Sequence, residues 1–382
     1  MAWTKYQLFL AGMLVVTGSI NTLATKFADT SSARGRPGGL YNNGTANVPT
    51  TQEHLFKHPF LQATGMFIGE FSCLIFFKIM LFVYKKRQAP EDELPDMLIG
   101  NRDFNPFIFY LPALCDMIGT SVMYVGLIMT YPASFQMFRG AVIIFTGLFS
   151  MFFLKRRLFA YKWVGILFVL SGLVILGLAD LSSASGGSGS TEYTKKSIIT
   201  GDLLIVVAQV ITATQMVLEE KFVLQSNVPA LQVVGWEGFF GMCTLGILLV
   251  PMFFITVGGV PFEDSIDGLY QIAQSGSVAG GFFGTLVSIS FFNFAGVSVT
   301  KQLSATTRMV LDSVRTIIIW AVSLALGTQQ FQVATLGGFA VLLVGMALYN
   351  NIGFVPFMVQ RGWMKDPEAE EEDTRSIENN AA

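Results

Sequence analysis

The stretch His58-Pro59-Phe60-Leu61-Gln62-Ala63-Thr64-Gly65 returns 170 positions later as Val228-Pro229-Ala230-Leu231-Gln232-Val233-Val234-Gly235, with Pro, Leu, Gln and Gly in register. At the same offset Cys73 falls on Cys243. Working outward, two more segments recur in the same order. Ala133/Ala305, Met137/Met309, Val142/Val314, Gly165/Gly337, Val169/Val341 and Leu170/Leu342 coincide without a gap at an offset of 172. Leu8/Leu203, Val15/Val210, Thr17/Thr212 and Lys26/Lys221 coincide at an offset of 195, the first inter-helix loop being 25 residues (195 minus 170) longer than its counterpart. One match between apolar segments carries little weight. Three in the same order make the chain two copies of one plan.

Both copies are built for lipid. The 382 residues are 52% hydrophobic and 13% charged, with a mean hydropathy of +0.56. A soluble domain carries about 25% charged residues. A helix needs roughly 20 mostly apolar residues to cross the hydrocarbon core. By that measure the expected spans are 6–25, 59–84, 106–128, 133–154, 161–180, 199–220, 231–256, 276–299, 303–327 and 333–355. The predicted fold is therefore an all-α polytopic membrane protein with ten transmembrane helices. Five spans per half is an odd number, so the second half enters the membrane in the opposite sense. That is an inverted repeat, the plan of secondary transporters whose site lies at the interface of the halves. The expected divisions are 1–180 for the first repeat, 181–198 for a Ser/Gly-rich luminal linker, 199–355 for the second repeat and 356–382 for a disordered acidic tail.

Orientation follows from Lys and Arg. With the N-terminus in the cytosol, fourteen fall on the cytosolic side, six on the opposite side, and the remaining four of 24 lie inside spans. This bias fits the positive-inside rule with both termini cytosolic. The sequon Asn43-Gly44-Thr45 falls in the luminal loop 26–58, which makes Asn43 the expected glycosylation site.

The same composition excludes other classes. A net charge of −2 with no long basic run argues against nucleic-acid binding. Cys73, Cys115 and Cys243 sit in apolar runs and read as core residues rather than a disulfide framework. His54 and His58 form an i, i+4 pair, but their loop offers no supporting ligand cluster, so no metal and no cofactor are expected. A membrane-embedded enzyme lacks its nucleophiles and paired surface carboxylates.

Charge inside the membrane is what remains to be explained, because each ionisable group at the bilayer centre costs about 2.5–3.5 kcal/mol. Eight such groups are present, four basic (Lys78, Arg139, Arg308, Arg315) and four acidic (Glu70, Asp116, Glu237, Asp312), and they sum to zero. Arg308, Asp312 and Arg315 share one stripe of span nine, so this face meets a partner helix or a watery cavity. Asp312 is expected to pair with and orient one or both arginines, and Arg308 and Arg315, of which Arg315 lies deeper, to meet an anionic substrate bidentately. Arg139 is the expected second clamp. Glu70 and Asp116 are expected to couple protons or to pair with Lys78. Glu237 and the run Glu219-Glu220-Lys221 read as interfacial. Asn293, flanked by Phe291, Phe292 and Phe294, is a candidate substrate contact, its amide hydrogen-bonding and the aromatic shelf stacking on a nucleobase, while packing alone also explains the aromatics.

Several of these segments carry a resemblance. Lys155-Arg156-Arg157-Leu158 followed by Trp163-Val164-Gly165 and Leu170-Ser171-Gly172-Leu173-Val174 resembles the basic turn and glycine-bearing helix of the drug/metabolite transporter superfamily. PALCDM, SFQMFRGAVIIFTGLFS, QMVLEEKFV, FFNFAG and SATTRMVLDSVRT are similar to solute carrier family 35, the nucleotide-sugar transporter-like carriers, in its F subfamily. The resemblance spans residues 1–355 and implies a ten-helix inverted-repeat carrier of an endomembrane, the lysosomal one favoured over mitochondrial or Golgi membranes. Sugar-nucleotide exchangers of this kind carry a Gly-Ala-Leu-Asn-Lys motif in helix nine, where this chain has Asp312-Ser313-Val314-Arg315-Thr316. A basic residue stays within one position of the motif's lysine, while the Gly and Asn are lost. The expected partners are thus a small anionic molecule and the lipid bilayer, with a homodimer left open. The expected function is exchange of an organic anion or nucleotide derivative. The alternative is a transport-inactive scaffold or regulator on the same fold.

Overall fold

The computed structural model describes residues 4–42, 47–87, 95–130, 132–153, 159–183, 194–303, 305–325, 333–349 and 361–362. It is a helical polytopic membrane protein. The main helices are α1 (Lys5–Thr30), α2 (Pro59–Lys86), α3 (Tyr110–Met129), α4 (Pro132–Phe138), α5 (Val142–Phe153), α6 (Ala160–Ser183), α7 (Lys195–Ser226), α8 (Ala230–Phe254), α9 (Ser265–Gln274), α10 (Gly276–Gln302), α11 (Ala305–Ala325) and α12 (Val333–Tyr349). Among the described residues seven helical segments are long and apolar enough to cross a membrane: those of α1, α2, α3 with its leading turn, α6, α7, α8 and α10. They match seven of the ten expected spans. The other three behave differently for visible reasons. Expected span 133–154 is broken at a 3-10 turn, Arg139–Ala141, between α4 and α5. The α11 helix carries three charges, and the described part of α12 has only 17 residues.

Local signals place the helix ends. Thr4 and Gln7 form a reciprocal capping box at α1, the Thr4 hydroxyl accepting from the Gln7 N–H and the Gln7 side chain accepting from the Thr4 N–H. Both copies of the repeated phrase start a helix at proline: Pro59 opens α2, and Pro229 caps α8. At the end of α7, Asn227 takes the left-handed conformation at φ 47°, a common helix stop.

The dominant helix pairings are α1 with α10, α3 with α7, α2 with α8, and α6 with α12. The α2–α8 contact shows why the repeated phrase ends in glycine. A Cβ at Gly235 would lie 2.5 Å from the Leu74 backbone nitrogen, so any side chain there would force the two helices apart.

Outside the helices, loop 26–58 is more than the polar connection expected. α1 runs on to Thr30, and four three-residue strands follow. β1 (Ser32–Arg34) pairs antiparallel with β4 (Glu53–Leu55), and β2 (Leu40–Asn42) pairs with β3 (Asn47–Pro49). A further hairpin joins β5 (Thr256–Val257) to β6 (Val260–Pro261) and leads into the short helix α9. Strands of two or three residues are too short to show an alternating pattern, so the all-α reading missed them. The expected linker is also narrower than 181–198, since α6 extends to Ser183 and α7 starts at Lys195. Asn43 and nearly all of the 356–382 tail lie outside the described residues.

Candidate functional site

Seven helical segments and the turn at Arg139 line a partly open cavity of about 100 Å³ in which charged and polar side chains converge. Glu70, Asp116, Arg139, Asn293, Arg308, Asp312 and Arg315 all line it. Six of the eight charges expected inside the membrane therefore converge on one space, which the helical stripe on α11 anticipated. Lys78 does not join them. It is exposed on the outer face of α2 beside Phe71, Leu74 and Trp236, because 80° of helix rotation separates positions 70 and 78. The expected pairing of Lys78 with Glu70 or Asp116 is corrected accordingly.

One pole of the cavity is cationic. Asp312 Oδ2 lies 3.1 Å from a terminal nitrogen of Arg315 and 3.7 Å from one of Arg139. Two guanidiniums thus share one carboxylate. The Arg315 guanidinium lies over the Phe292 ring at 4.8 Å, and that of Arg139 lies 5.8 Å from the Phe135 ring centroid. Arg139 sits on the 3-10 turn, where the break between α4 and α5 brings backbone irregularity to the cavity wall. Asp312 Oδ1, Arg315 Nε and, further off, Glu237 Oε1 are buried and have no hydrogen-bond partner among the described residues. Unfilled valences of this kind in a buried polar site call for water or a ligand.

The other pole is acidic. Arg308 does not pair with Asp312 as expected; its guanidinium donates to Glu219 Oε1 of α7 at 3.0 Å. It also attracts Glu70, Asp116 and Glu237 electrostatically. Glu219 and Glu237 are 1% and 4% exposed, so both are buried among the helices beside the acidic pole. Arg308 fits there because Gly296 on α10 leaves room. A Cβ at that position would come within 2.7 Å of Arg308 Nε. Asp116 accepts a hydrogen bond from Thr120, and Glu70 Oε1 accepts one from Asn293. Asn293 is thus engaged by an acid rather than standing beside its aromatic neighbours as a free hydrogen-bonding group, and Phe291 points outward.

The sequence reading missed the polar stripe that α7 contributes. Thr212 and Gln215 line the cavity and Glu219 lies one turn further, an i, i+3, i+7 spacing that marks a helix face. It also missed Asn21, Thr22 and Thr25 of α1, which line the same wall.

A second cluster lies away from the cavity, where loop 26–58 meets α9. His54 Nε2 is 2.8 Å from Asp267 Oδ2, His58 Nε2 is 3.5 Å from the same oxygen, and His58 Nδ1 is 3.0 Å from Glu263 Oε1. Arg36 Nε donates to Asp264 Oδ2 at 2.8 Å, and the Arg36 backbone N–H donates to Asp267 Oδ1 at 2.8 Å. Burial works against charge on the His58 ring, but hydrogen bonds and charge from Asp267 and Glu263 outweigh it and raise its pKa to about 9. His54 is raised by the same balance. Burial alone would push Asp267 up, yet the two imidazoles and the Arg36 N–H hold it well below the ordinary carboxylate range. The carboxylates that the histidines' own loop lacks come from more than 200 positions away.

With this geometry in view, comparison with known proteins is informative. Residues 49–319 match the model of the nucleotide-sugar transporter family. Human solute carrier family 35 member F6 is 53% identical over 358 residues, covering 92% of this chain and 91% of the relative. The mouse protein of the same name is 50% identical over the full length of both chains. An uncharacterized protein of Schizosaccharomyces pombe is 30% identical over 89% of this chain and 96% of its own. A crystal structure matches 91% of this chain and 96% of its own with a TM-score of 0.52 at 15% identity, a likeness of fold alone. The chain belongs to the nucleotide-sugar transporter family, as a member of solute carrier family 35.

Proposed function

We propose that this chain is a secondary carrier that exchanges a small organic anion, such as a nucleotide derivative, across an endomembrane by alternating access. The observation that carries this reading is the cavity among the helices with three arginines on its wall and buried, unpartnered polar atoms beside two of them. The anion is taken by Arg315 and Arg139. Asp312, which lies between them, occupies the place of a substrate carboxylate or phosphate and is displaced when one arrives. Glu70 and Asp116 sit at the opposite pole, where proton uptake would offset the charge moved.

The helix pairings support two inverted five-span repeats. Number ten spans with α4–α5 as the fourth and α10 as the eighth. The pairs are then 1·8, 3·6, 2·7 and 5·10. Advancing every span by five places turns 1·8 into 6·3 and leaves 2·7 and 5·10 unchanged. A two-fold relation between the halves has this property. In this reading both termini are cytosolic, the β-strand segments and α9 face the lumen, Asn43 is glycosylated, and the lysosomal membrane is the favoured address.

The second reading, a transport-inactive scaffold, is favoured by one feature: each cavity arginine already has a carboxylate near it. Purified protein in liposomes, preloaded and screened for counterflow of nucleotides, nucleotide sugars and other organic anions, separates the two. Exchange that is lost in Arg315→Ala supports the carrier. No exchange and no thermal stabilisation by any member of the panel supports the scaffold.

A further inference from the structure

The cluster at loop 26–58 can be satisfied in two ways: two imidazoliums that give both N–H groups to acceptors, or two neutral rings with a cation held between them. A neutral imidazole has one N–H to give. His54 Nδ1 faces the Gln52 carbonyl at 3.0 Å and its Nε2 faces Asp267 Oδ2 at 2.8 Å. His58 Nδ1 faces Glu263 Oε1 at 3.0 Å and its Nε2 faces Asp267 Oδ2 at 3.5 Å. All four ring nitrogens therefore meet acceptors. Give each Nδ1 its proton, and two Nε2 lone pairs converge on one carboxylate oxygen. That oxygen and the two nitrogens lie within 4.8 Å of one another.

This is how histidines are arranged around a metal. A ligating imidazole donates its other N–H to a carboxylate or a backbone carbonyl, which sets the tautomer and aims the ring. Here Glu263 and the Gln52 carbonyl hold those positions. Zinc–nitrogen bonds of about 2.0–2.1 Å at tetrahedral angles separate ligand atoms by roughly 3.3 Å, and the observed 2.8 and 3.5 Å bracket that value. Charge agrees. Asp264, Asp267 and Glu263 against Arg36 leave a surplus of two negative charges when both rings are neutral, which a divalent cation cancels. The three ligand side chains are buried, at 6%, 9% and 2% exposure, so the site is enclosed. Two imidazoles and one carboxylate suit zinc or a similar late first-row ion, not calcium or magnesium, which take oxygen ligands.

We propose that His54 Nε2, His58 Nε2 and Asp267 Oδ2 form a zinc site, its remaining position filled by water, that ties loop 26–58 to the start of α9. His54 stands on β4, His58 caps α2, and Asp267 lies in the first turn of α9, so the ion bridges segments 213 positions apart. Zinc here acts as a staple on the rim of the protein, apart from the cavity, and the proposal stands whether or not the cavity transports.

Full-length protein without a polyhistidine tag, purified in detergent and stripped with a chelator, provides the test. Zinc alone, added and then desalted, should leave about one ion per chain by elemental analysis and raise the melting temperature. Cobalt in its place should give the intense visible absorption of a tetrahedral site. His54→Gln and His58→Gln should each lose the bound zinc and the thermal shift, while calcium and magnesium should give no shift. Should either variant fail to fold, the cobalt spectrum of the unaltered chain still decides. The proposal is overturned if the stripped chain retains no zinc and shows no tetrahedral cobalt band. That result would assign the cluster to two imidazoliums held by Asp267. It is equally overturned if both variants bind zinc as the unaltered chain does.

Discussion

Two clusters of bases and acids occur in this protein, one in the membrane cavity and one where loop 26–58 meets α9, and they are finished to different degrees. In the outer cluster five of the six carboxylate oxygens of Glu263, Asp264 and Asp267 accept a hydrogen bond, from His58, Phe60, Arg36 and the α9 backbone, and the sixth, Asp267 Oδ2, faces the His54 and His58 imidazoles. In the cavity region, Asp312 Oδ1, Arg315 Nε and Glu237 Oε1 accept or donate none among the described residues. The outer carboxylates are all engaged, although Ser265 Oγ and Gln271 Oε1 of α9 have no hydrogen-bond partner among the described residues, whereas in the cavity charged groups themselves are left with places for something else to bind. Charge separation points the same way. Acids outnumber the arginine at one pole of the cavity, and at the other two arginines share Asp312.

The contrast can be broken most severely at Arg308. Arg308→Gln leaves Glu70, Asp116, Glu219 and Glu237 without the guanidinium that attracts all four. Stranding buried charge in this way costs about 3–5 kcal/mol. A marked fall in melting temperature in detergent is expected, and Arg308→Lys should recover part of it. An unchanged melting curve would show that the acidic pole needs no counter-charge. Next comes Arg315→Ala, which removes charged hydrogen bonds worth about 1.5–3 kcal/mol to a bound anion. Exchange in liposomes should drop roughly 10- to 100-fold with little change in folding. Full exchange in that variant would remove Arg315 from the site.

Asp264→Ala probes the outer cluster. It deletes the side-chain cap of α9 and the Arg36 ion pair. A loss of about 1–2 kcal/mol in stability is expected, with normal exchange once folded, since cap removal falls in this range. Impaired exchange at full stability would erase the distinction between the two clusters. The smallest effect is expected at Lys78→Gln. Lys78 stands exposed outside the cavity, so stability should move by less than about 0.5 kcal/mol and exchange not at all. A tenfold loss of exchange would return Lys78 to the coupling role its sequence position had offered.

Much of the plan was legible in the residues because it rests on local properties. Hydropathy over some twenty positions marks a span wherever it occurs, and seven expected spans stand as long apolar helices. The stripe Arg308–Asp312–Arg315 declared a cavity because helical periodicity puts those side chains on one face. The break at Arg139 was not legible, since one arginine followed by Gly140 within a span-length segment marks an intramembrane charge as readily as a helix break. Nor was the fate of Glu219: its polar neighbours Thr212 and Gln215 share its face, but only the packing of α7 shows what that face meets.

Sequence by itself therefore determined seven segments that stand as long apolar helices, where the residues repeat, and six of the ionisable groups that line the cavity. These depend on composition and on the 3.6-residue period of one helix at a time. Only the tertiary structure decided partners. Arg308 meets Glu219 from 89 positions away rather than Asp312 four residues along its own helix, and His54 meets Asp267 from 213 positions away. The reason is physical. An ion pair or a metal site is fixed by distances of a few ångströms between backbones brought together by packing, and nothing in either segment alone records which neighbour the other will be.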